Sequence, residues 1–332
     1  EGTVTGTGTL NLNLANTNTK YLNLKGNMSG YSGNVTIGTS TAAGYVLFGH
    51  SSGWGTGSLT LTGSGSRVMI GDEVATSYNS GWTGGSALGF TTGTFAPASS
   101  ITLGASSELS LMNSTAGYGI LFSPVNGLTV NGGTLSIKGS AGTSAYAPVA
   151  NSTWIFGGSA LSTVSGNTAI NNSGVVFQVA DAVSGTAEDT TISGVVSGNS
   201  GFKKTGAGTL SLTAANSSWS GAIVIDSGTV QLGADTAAGS GLITIGDTDA
   251  SANTHSLRLA GATIGNDVVS KFMYTADYLG SITAQGGVAS TINGDVTIMP
   301  AVSGSPSRGG HLASTGAGSV LRLMGQLNVG GA

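Results

Sequence analysis

Short apolar–x–apolar triplets recur along the whole chain. Leu22/Leu24, Val35/Ile37, Leu59/Leu61, Val68/Ile70, Ile101/Leu103, Leu109/Leu111, Leu128/Val130, Leu135/Ile137, Leu257/Leu259, Val296/Ile298 and Leu327/Val329 each set two apolar side chains two positions apart. A period of two points both side chains to one face of a strand and turns the residue between them to water. That middle residue is usually Thr, Ser, Asn or Arg. A helical spacing of apolar residues is sustained nowhere, because Gly interrupts nearly every window that begins one. The nearest approach is 266–279, where Val268, Val269, Phe272 and Met273 would share a helical face; it reads as an excursion loop or short helix.

Two of these strand signals return at one fixed step. Gly208-Thr209-Leu210-Ser211-Leu212 reappears as Gly228-Thr229-Val230-Gln231-Leu232, and Ile223-Val224-Ile225 as Ile243-Thr244-Ile245, each 20 residues on. Two short strands sharing a period near 20 are what a β-helical coil requires. Thr5-Gly6-Thr7-Gly8, Thr205-Gly206-Ala207-Gly208 and Thr315-Gly316-Ala317-Gly318 open further strand-like segments. A single coil cannot bury its few Leu and Ile side chains. Coils stacked ~4.8 Å apart line those side chains up into a dry core. The expected fold is therefore all-β: a right-handed parallel β-helix, one solenoid domain over 1–332, with loops leaving the coils within 72–100, 139–173 and 262–292. At roughly 20–28 residues per coil the chain makes about 12–16 coils, a rod on the order of 60–75 Å long.

Composition narrows the function. Only 7% of the 332 residues are charged, which leaves little repulsion to oppose self-association. The 58 glycines do not signal disorder, because 39% of the residues are hydrophobic. Lys203-Lys204 is the only adjacent basic pair, so no patch is present to hold a nucleic acid backbone. Absence of cysteine excludes disulfides and thiolate metal sites. No apolar run reaches the length of a membrane-spanning helix. A long, cysteine-free chain rich in Thr, Ser, Asn and Gly fits export, outside the cell or on a bacterial surface.

Candidate chemistry is sparse. Asp72/Glu73 and Glu188/Asp189 are adjacent carboxylates, which a strand would point to opposite faces. Asp247 and Asp249 read as an exposed turn, or as a weak Ca²⁺ site. Asp226, Asp247 and Arg258 are the only near candidates for a lyase-type cluster. His50, His255 and His311 lie far apart and read as scattered histidines. No cofactor, metal or catalytic residue is assigned, and the chain reads as a non-enzyme. The aromatics Trp54, Trp82, Trp219 and Tyr31 carry two readings: corner residues packed on the next coil, or exposed rings that stack on sugars.

One segment carries a specific pattern. Gly201-Phe202-Lys203-Lys204-Thr205-Gly206-Ala207-Gly208-Thr209-Leu210-Ser211-Leu212 is followed by Asn216, Trp219-Ser220-Gly221, Ile223-Val224-Ile225 and Gly228-Thr229-Val230-Gln231-Leu232. It resembles the autotransporter-associated β-strand repeat, with Phe202 where that repeat has Leu and Trp219 where it has Tyr. The resemblance covers about a tenth of the chain. It implies a passenger-type β-helix displayed outside a bacterial cell, with Lys204, Gly206, Gly208, Thr209, Leu210, Leu212, Gly221, Ile223, Ile225, Gly228, Val230 and Leu232 as repeat residues. It implies no activity, and no translocator-like strand series follows residue 300.

Three functions follow as expectations. The first is a structural rod, either a surface stalk or a filament whose subunits stack head to tail on themselves or on more passenger. The second is an adhesin that binds glycans or matrix. The third, a polysaccharide-active β-helix enzyme, needs a carboxylate cluster that the sequence does not supply.

Overall fold

Leu210 pairs with Val230, Leu212 with Leu232, Ile223 with Ile243 and Ile225 with Ile245, so the 20-residue step in the sequence is the strand register itself. A computed structural model describes residues 2–13, 21–24, 26–38, 45–49, 53–62, 66–71, 93–95, 97, 100–113, 120–139, 145–181, 188–246, 255–271, 282–299 and 312–330. Among these the secondary structure consists of strands and turns, and the pairings are parallel. The fold is the right-handed parallel β-helix expected, the hand that parallel crossovers take.

The chain forms two compact units, Glu1–Ala169 and Ile170–Ala332. In the first unit, one sheet stacks Leu10–Leu12, Val35–Ile37, Leu59–Leu61, Ile101–Leu103, Leu128–Asn131 and Thr153–Gly157. A second stacks Tyr21–Leu24, Tyr45–Phe48, Arg67–Gly71, Glu108–Asn113, Thr134–Gly139 and Ser162–Val164. Shorter strands, among them Ile120–Phe122 and Ala145–Tyr146, form a third face. The second unit repeats the plan. Phe202–Thr205, Ile223–Ile225, Ile243–Ile245, Val268–Ser270, Val296–Ile298 and Leu327–Val329 stack in its first sheet, and Thr190–Ile192, Thr209–Leu212, Gly228–Leu232, His255–Leu259, Ile282–Ala284 and Leu312–Ser314 in its second.

The alternation read from the sequence is kept on many strands, whereas the middle residues Met69, Ser110, Ser211, Thr244 and Thr283 are buried as well. Val35 and Ile37, Leu59 and Leu61, Ile223 and Ile225, and Val230 and Leu232 are all buried, while Thr36, Thr60, Val224 and Gln231 between them are half-buried on the outer face. Each coil adds a rung of aliphatic side chains to the core, worth about 1.5–3 kcal/mol per fully buried Leu, Ile or Val before entropy is counted.

Two expected excursions carry strands. Within 139–173, Ala145–Tyr146, Thr153–Gly157, Ser162–Val164 and Thr168–Ala169 stay in the coils, because Tyr146, Trp154, Phe156 and Val164 supply the inward side chains. Within 262–292, Thr263–Ile264, Val268–Ser270, Ile282–Ala284 and Ala289–Ile292 are strands, and Val268 pairs with Ile243, so 268–270 is strand and neither loop nor helix. The stretches 140–144, 272–281 and 72–92 lie outside the described residues; Gly93–Phe95, within the expected loop 72–100, is a strand. Among the described residues no helix is long and apolar enough to cross a membrane.

Candidate functional site

The repeat segment is organised around one buried ammonium. Lys204 lies on strand Phe202–Thr205 with its side chain turned inward and wholly shielded from solvent. Its Nζ donates to the carbonyls of Gly206 and Gly208, both at 2.5 Å, and of Ser227 at 2.8 Å. Three donors meet three acceptors, which is the full capacity of an ammonium group. The first two carbonyls belong to the turn into the next strand, and the third to the entry of the following coil. Burial pushes the Lys204 pKa down to about 7, and the charge of Asp189 pulls the other way. Gly206 (φ +80°) provides the left-handed residue that turns its own carbonyl back to the amine.

The remaining repeat residues are spent on contacts between coils. Asn216 is buried; its Oδ1 accepts the N–H of Val196 at 2.8 Å and its Nδ2 donates to the Ala237 carbonyl at 2.6 Å. One amide thus joins the coil before it to the coil after it. Trp219 is fully buried, stacks on Phe202 with ring centroids 5.6 Å apart, and donates from Nε1 to the Ser200 carbonyl at 2.9 Å. At Gly221 a Cβ would sit 1.9 Å from the Ser200 carbonyl oxygen, so the corner closes only around glycine. Thr209, Leu210, Leu212, Ile223, Ile225, Gly228, Val230 and Leu232 are all placed in the two stacked sheets.

The other aromatics singled out in the sequence also face inward. Trp54 is fully buried, meets Phe48 edge to face at 5.8 Å and donates from Nε1 to the Gly57 carbonyl. Tyr31 is 6% exposed and its hydroxyl donates to the Gly8 carbonyl of the preceding coil. Rings so placed pack coils together and present no face to a sugar. Trp82 lies outside the described residues.

Half-buried carboxylates tie coils together in a way that no sequence motif signalled. In the first unit Glu108 accepts from the Ser110 and Ser136 hydroxyls at 3.1 and 2.5 Å and faces Arg67 Nε at 3.5 Å. In the second unit Glu188 accepts from Thr191 at 2.8 Å, Ser211 at 3.0 Å and Gln231 at 2.6 Å, and Arg258 reaches Gln231 at 3.4 Å. Each unit thus ties neighbouring coils through one glutamate and a column of hydroxyl side chains. Adjacent Asp189 does not share this role; its Oδ2 accepts the backbone N–H of Thr209 at 2.7 Å. The expectation of opposite directions for Glu188 and Asp189 matches their different partners. What sequence reasoning missed was the register that sets Ser211 and Gln231 beside Glu188, because those pairings depend on coil length.

His255 is 3% exposed at the start of strand His255–Leu259. Burial lowers its pKa; Asp226, by its charge and its backbone, works against that, and Lys204 adds to it. Asp226 and Arg258 fall in different settings: Arg258 belongs to the Glu188 column, and Asp226 lies beside His255. Asp72, Glu73, Asp247, Asp249, His50 and His311 lie outside the described residues. Among the described residues no group of three His, Cys, Asp or Glu side chains could hold a metal ion. Tyr146, which no motif flagged, is fully buried and donates to the Ser136 and Leu109 carbonyls; burial, then the Glu108 charge, raises its pKa.

Residues 202–232 match the family model described as the passenger-associated-transport-repeat. This span coincides with the coil built around Lys204, Asn216 and Trp219. Compared with curated proteins and with solved structures, the chain has no match.

Proposed function

We propose that this chain is a non-enzymatic extracellular scaffold: passenger-type coils at a bacterial surface, acting as a stalk or as the subunit of an end-to-end filament. The observation that supports this most is the use of polar groups in the matched repeat. Lys204, Asn216 and Trp219, together with Asp189 of the coil before, direct their donors and acceptors to backbone of their own or neighbouring coils. Side chains used in this way hold coil on coil, which supports a scaffold role. A passenger-associated repeat favours display outside the cell.

End-on association is supported by charge: only 7% of the residues are charged, so little repulsion opposes the stacking of one copy on another.

Negative-stain electron microscopy across a concentration series tests this reading. Filaments with a regular axial repeat that lengthen with concentration are the expected result for a filament subunit. Isolated particles at every concentration leave the stalk. Release of oligosaccharides from pectic or alginate polymers by the purified chain would overturn the non-enzymatic reading.

A further inference from the structure

The outer face of the first sheet in the first unit carries a column of threonines in unbroken register. Thr36 pairs with Thr60, Thr60 with Thr102, and Thr102 with Thr129. Asn11 precedes Thr36 in the column and Ile155 follows Thr129. No bulge interrupts any of these pairings. Each threonine is the middle residue of an apolar–Thr–apolar strand whose outer neighbours point into the core, so all four stand on one face. The four hydroxyls recur at the strand spacing of ~4.8 Å and span about 14 Å. Flat stacking over many strands is itself favoured by such side-chain ladders.

Among the described residues the face is uncharged. The threonines are half-buried, while Asn34, Thr62 and Ser100 beside them are exposed. No Asp, Glu, Lys or Arg occurs in the column or among these flanking residues. β-propensity alone does not account for the pattern. In the second unit the corresponding outer column reads Val176, Lys203, Val224, Thr244, Val269 and Thr297, where β-branched residues recur without a threonine ladder.

We propose that this threonine column is a binding face for an extended, neutral polysaccharide lying along the stacking direction, with one sugar ring over each coil. Hydroxyl and amide side chains both donate and accept, as sugar hydroxyls do. An uncharged face selects an uncharged polymer. A linked glycan repeats once per sugar along its chain, as this side-chain column repeats once per coil at ~4.8 Å. Single hydroxyl contacts in water are weak, but a polymer held at four successive coils sums them without a new entropic cost for each. The flanking positions decide between a linear and a planar partner. The column beside the ladder runs Gly38, Thr62, Gly104, Asn131, so its side-chain size is irregular and the threonine column is regular without a regular neighbour on that side. A one-dimensional repeat fits a chain polymer and not a two-dimensional lattice such as ice. The inference is independent of whether the scaffold is a stalk or a filament.

The test uses the whole chain. Retention is measured by affinity electrophoresis in gels containing hydroxyethyl cellulose or galactomannan, and by depletion onto cellulose and chitin particles, with alginate as an acidic comparison. At least one neutral polymer is expected to retain the protein, with little change on adding salt, and alginate is not. The double variant Thr60→Val/Thr102→Val keeps the branched shape and removes two hydroxyls; retention should fall roughly tenfold. Thr244→Val/Thr297→Val, in the second unit, should leave it unchanged. Circular dichroism melting of both variants must match the parent. No retention by any neutral polymer, retention that the first double variant does not weaken, or thermal hysteresis showing adsorption to ice would each overturn the proposal.

Discussion

A Cβ placed on Gly228 would lie 2.4 Å from Nζ of Lys204 and 2.5 Å from the carbonyl oxygens of Gly206 and Gly208. The ammonium cage of one coil therefore presses on the first residue of a strand in the next, and that residue also holds a positive φ of 70°. Gly228→Ala meets both a steric and a conformational penalty, together about 3 kcal/mol or more. Stacked coils open in parts, so the readout is local. Hydrogen exchange in Gly228–Leu232 should accelerate by at least a hundredfold. Gly265→Ala is the control, since a Cβ there meets nothing within 4 Å and should leave exchange near the parent value.

Lys204 links the same cage to pH. Its folded pKa, held down to about 7 by burial, lies below the ~10.5 of the unfolded chain. Between those values the unfolded chain binds more protons, so stability rises with pH across the window and is lost as pH falls toward 7. Thermal melting from pH 7 to 10 should show that rise. Lys204→Met should remove it while lowering stability throughout, because the carbonyls of Gly206, Gly208 and Ser227 lose the hydrogen bonds the amine makes. A variant that keeps the parental slope would assign the pH dependence to another group.

How much of this was legible in the sequence depends on coil length. Where coils are 20 residues long, as from Leu210 to Val230, identical spacing revealed the register outright. Leu59 pairs with Ile101 across the stretch 72–92, and Val296 pairs with Leu327 across 300–311, so no fixed period exposed those coils. The triplets Leu59–Leu61 and Ile101–Leu103 were readable, but their partnership was not. The Thr-Gly-x-Gly segments also proved to mark a turn and not a face. In the second unit one precedes Thr209–Leu212 of the second sheet, and the other precedes Val320–Leu323 of a third. At the candidate site, Lys204 and its glycines were visible as a motif. The Glu108 and Glu188 columns were not, because they are assembled from positions that only stacking brings together.

Trp219 separates packing from recognition. Its ring is fully buried against Phe202 and its indole N–H is satisfied by Ser200. Trp219→Ala leaves a cavity and an unpaired carbonyl, a loss of about 3–5 kcal/mol. Urea-induced loss of tryptophan-independent far-ultraviolet dichroism should shift to lower concentration, and retention on any glycan should be unaffected under conditions where the protein stays folded. Trp54→Ala should behave in the same way. A glycan-binding loss in a variant that remains fully folded would restore these rings as contact residues.

His255 gives the second unit a weakness on the acid side. The imidazole pairs in register with Gly228, is 3% exposed, and has no hydrogen-bond partner at Nδ1. Burial holds its folded pKa below the ordinary 6.5, with Lys204 reinforcing and Asp226 opposing the shift. Below pH 6.5 the unfolded chain accepts a proton that the folded imidazole resists. The stability contribution is therefore complete above about pH 6.5 and falls away as pH drops through the folded value. Acid should loosen the His255–Leu259 coil first, because the new charge would arise beside the Lys204 ammonium. Hydrogen exchange, corrected for its intrinsic pH dependence, should show this strand losing protection between pH 7 and 5 ahead of Ile223–Ile225. His255→Gln, which does not titrate, should abolish the difference. Equal protection of the His255 strand at both pH values in the parent would show that the imidazole stays out of the acid response.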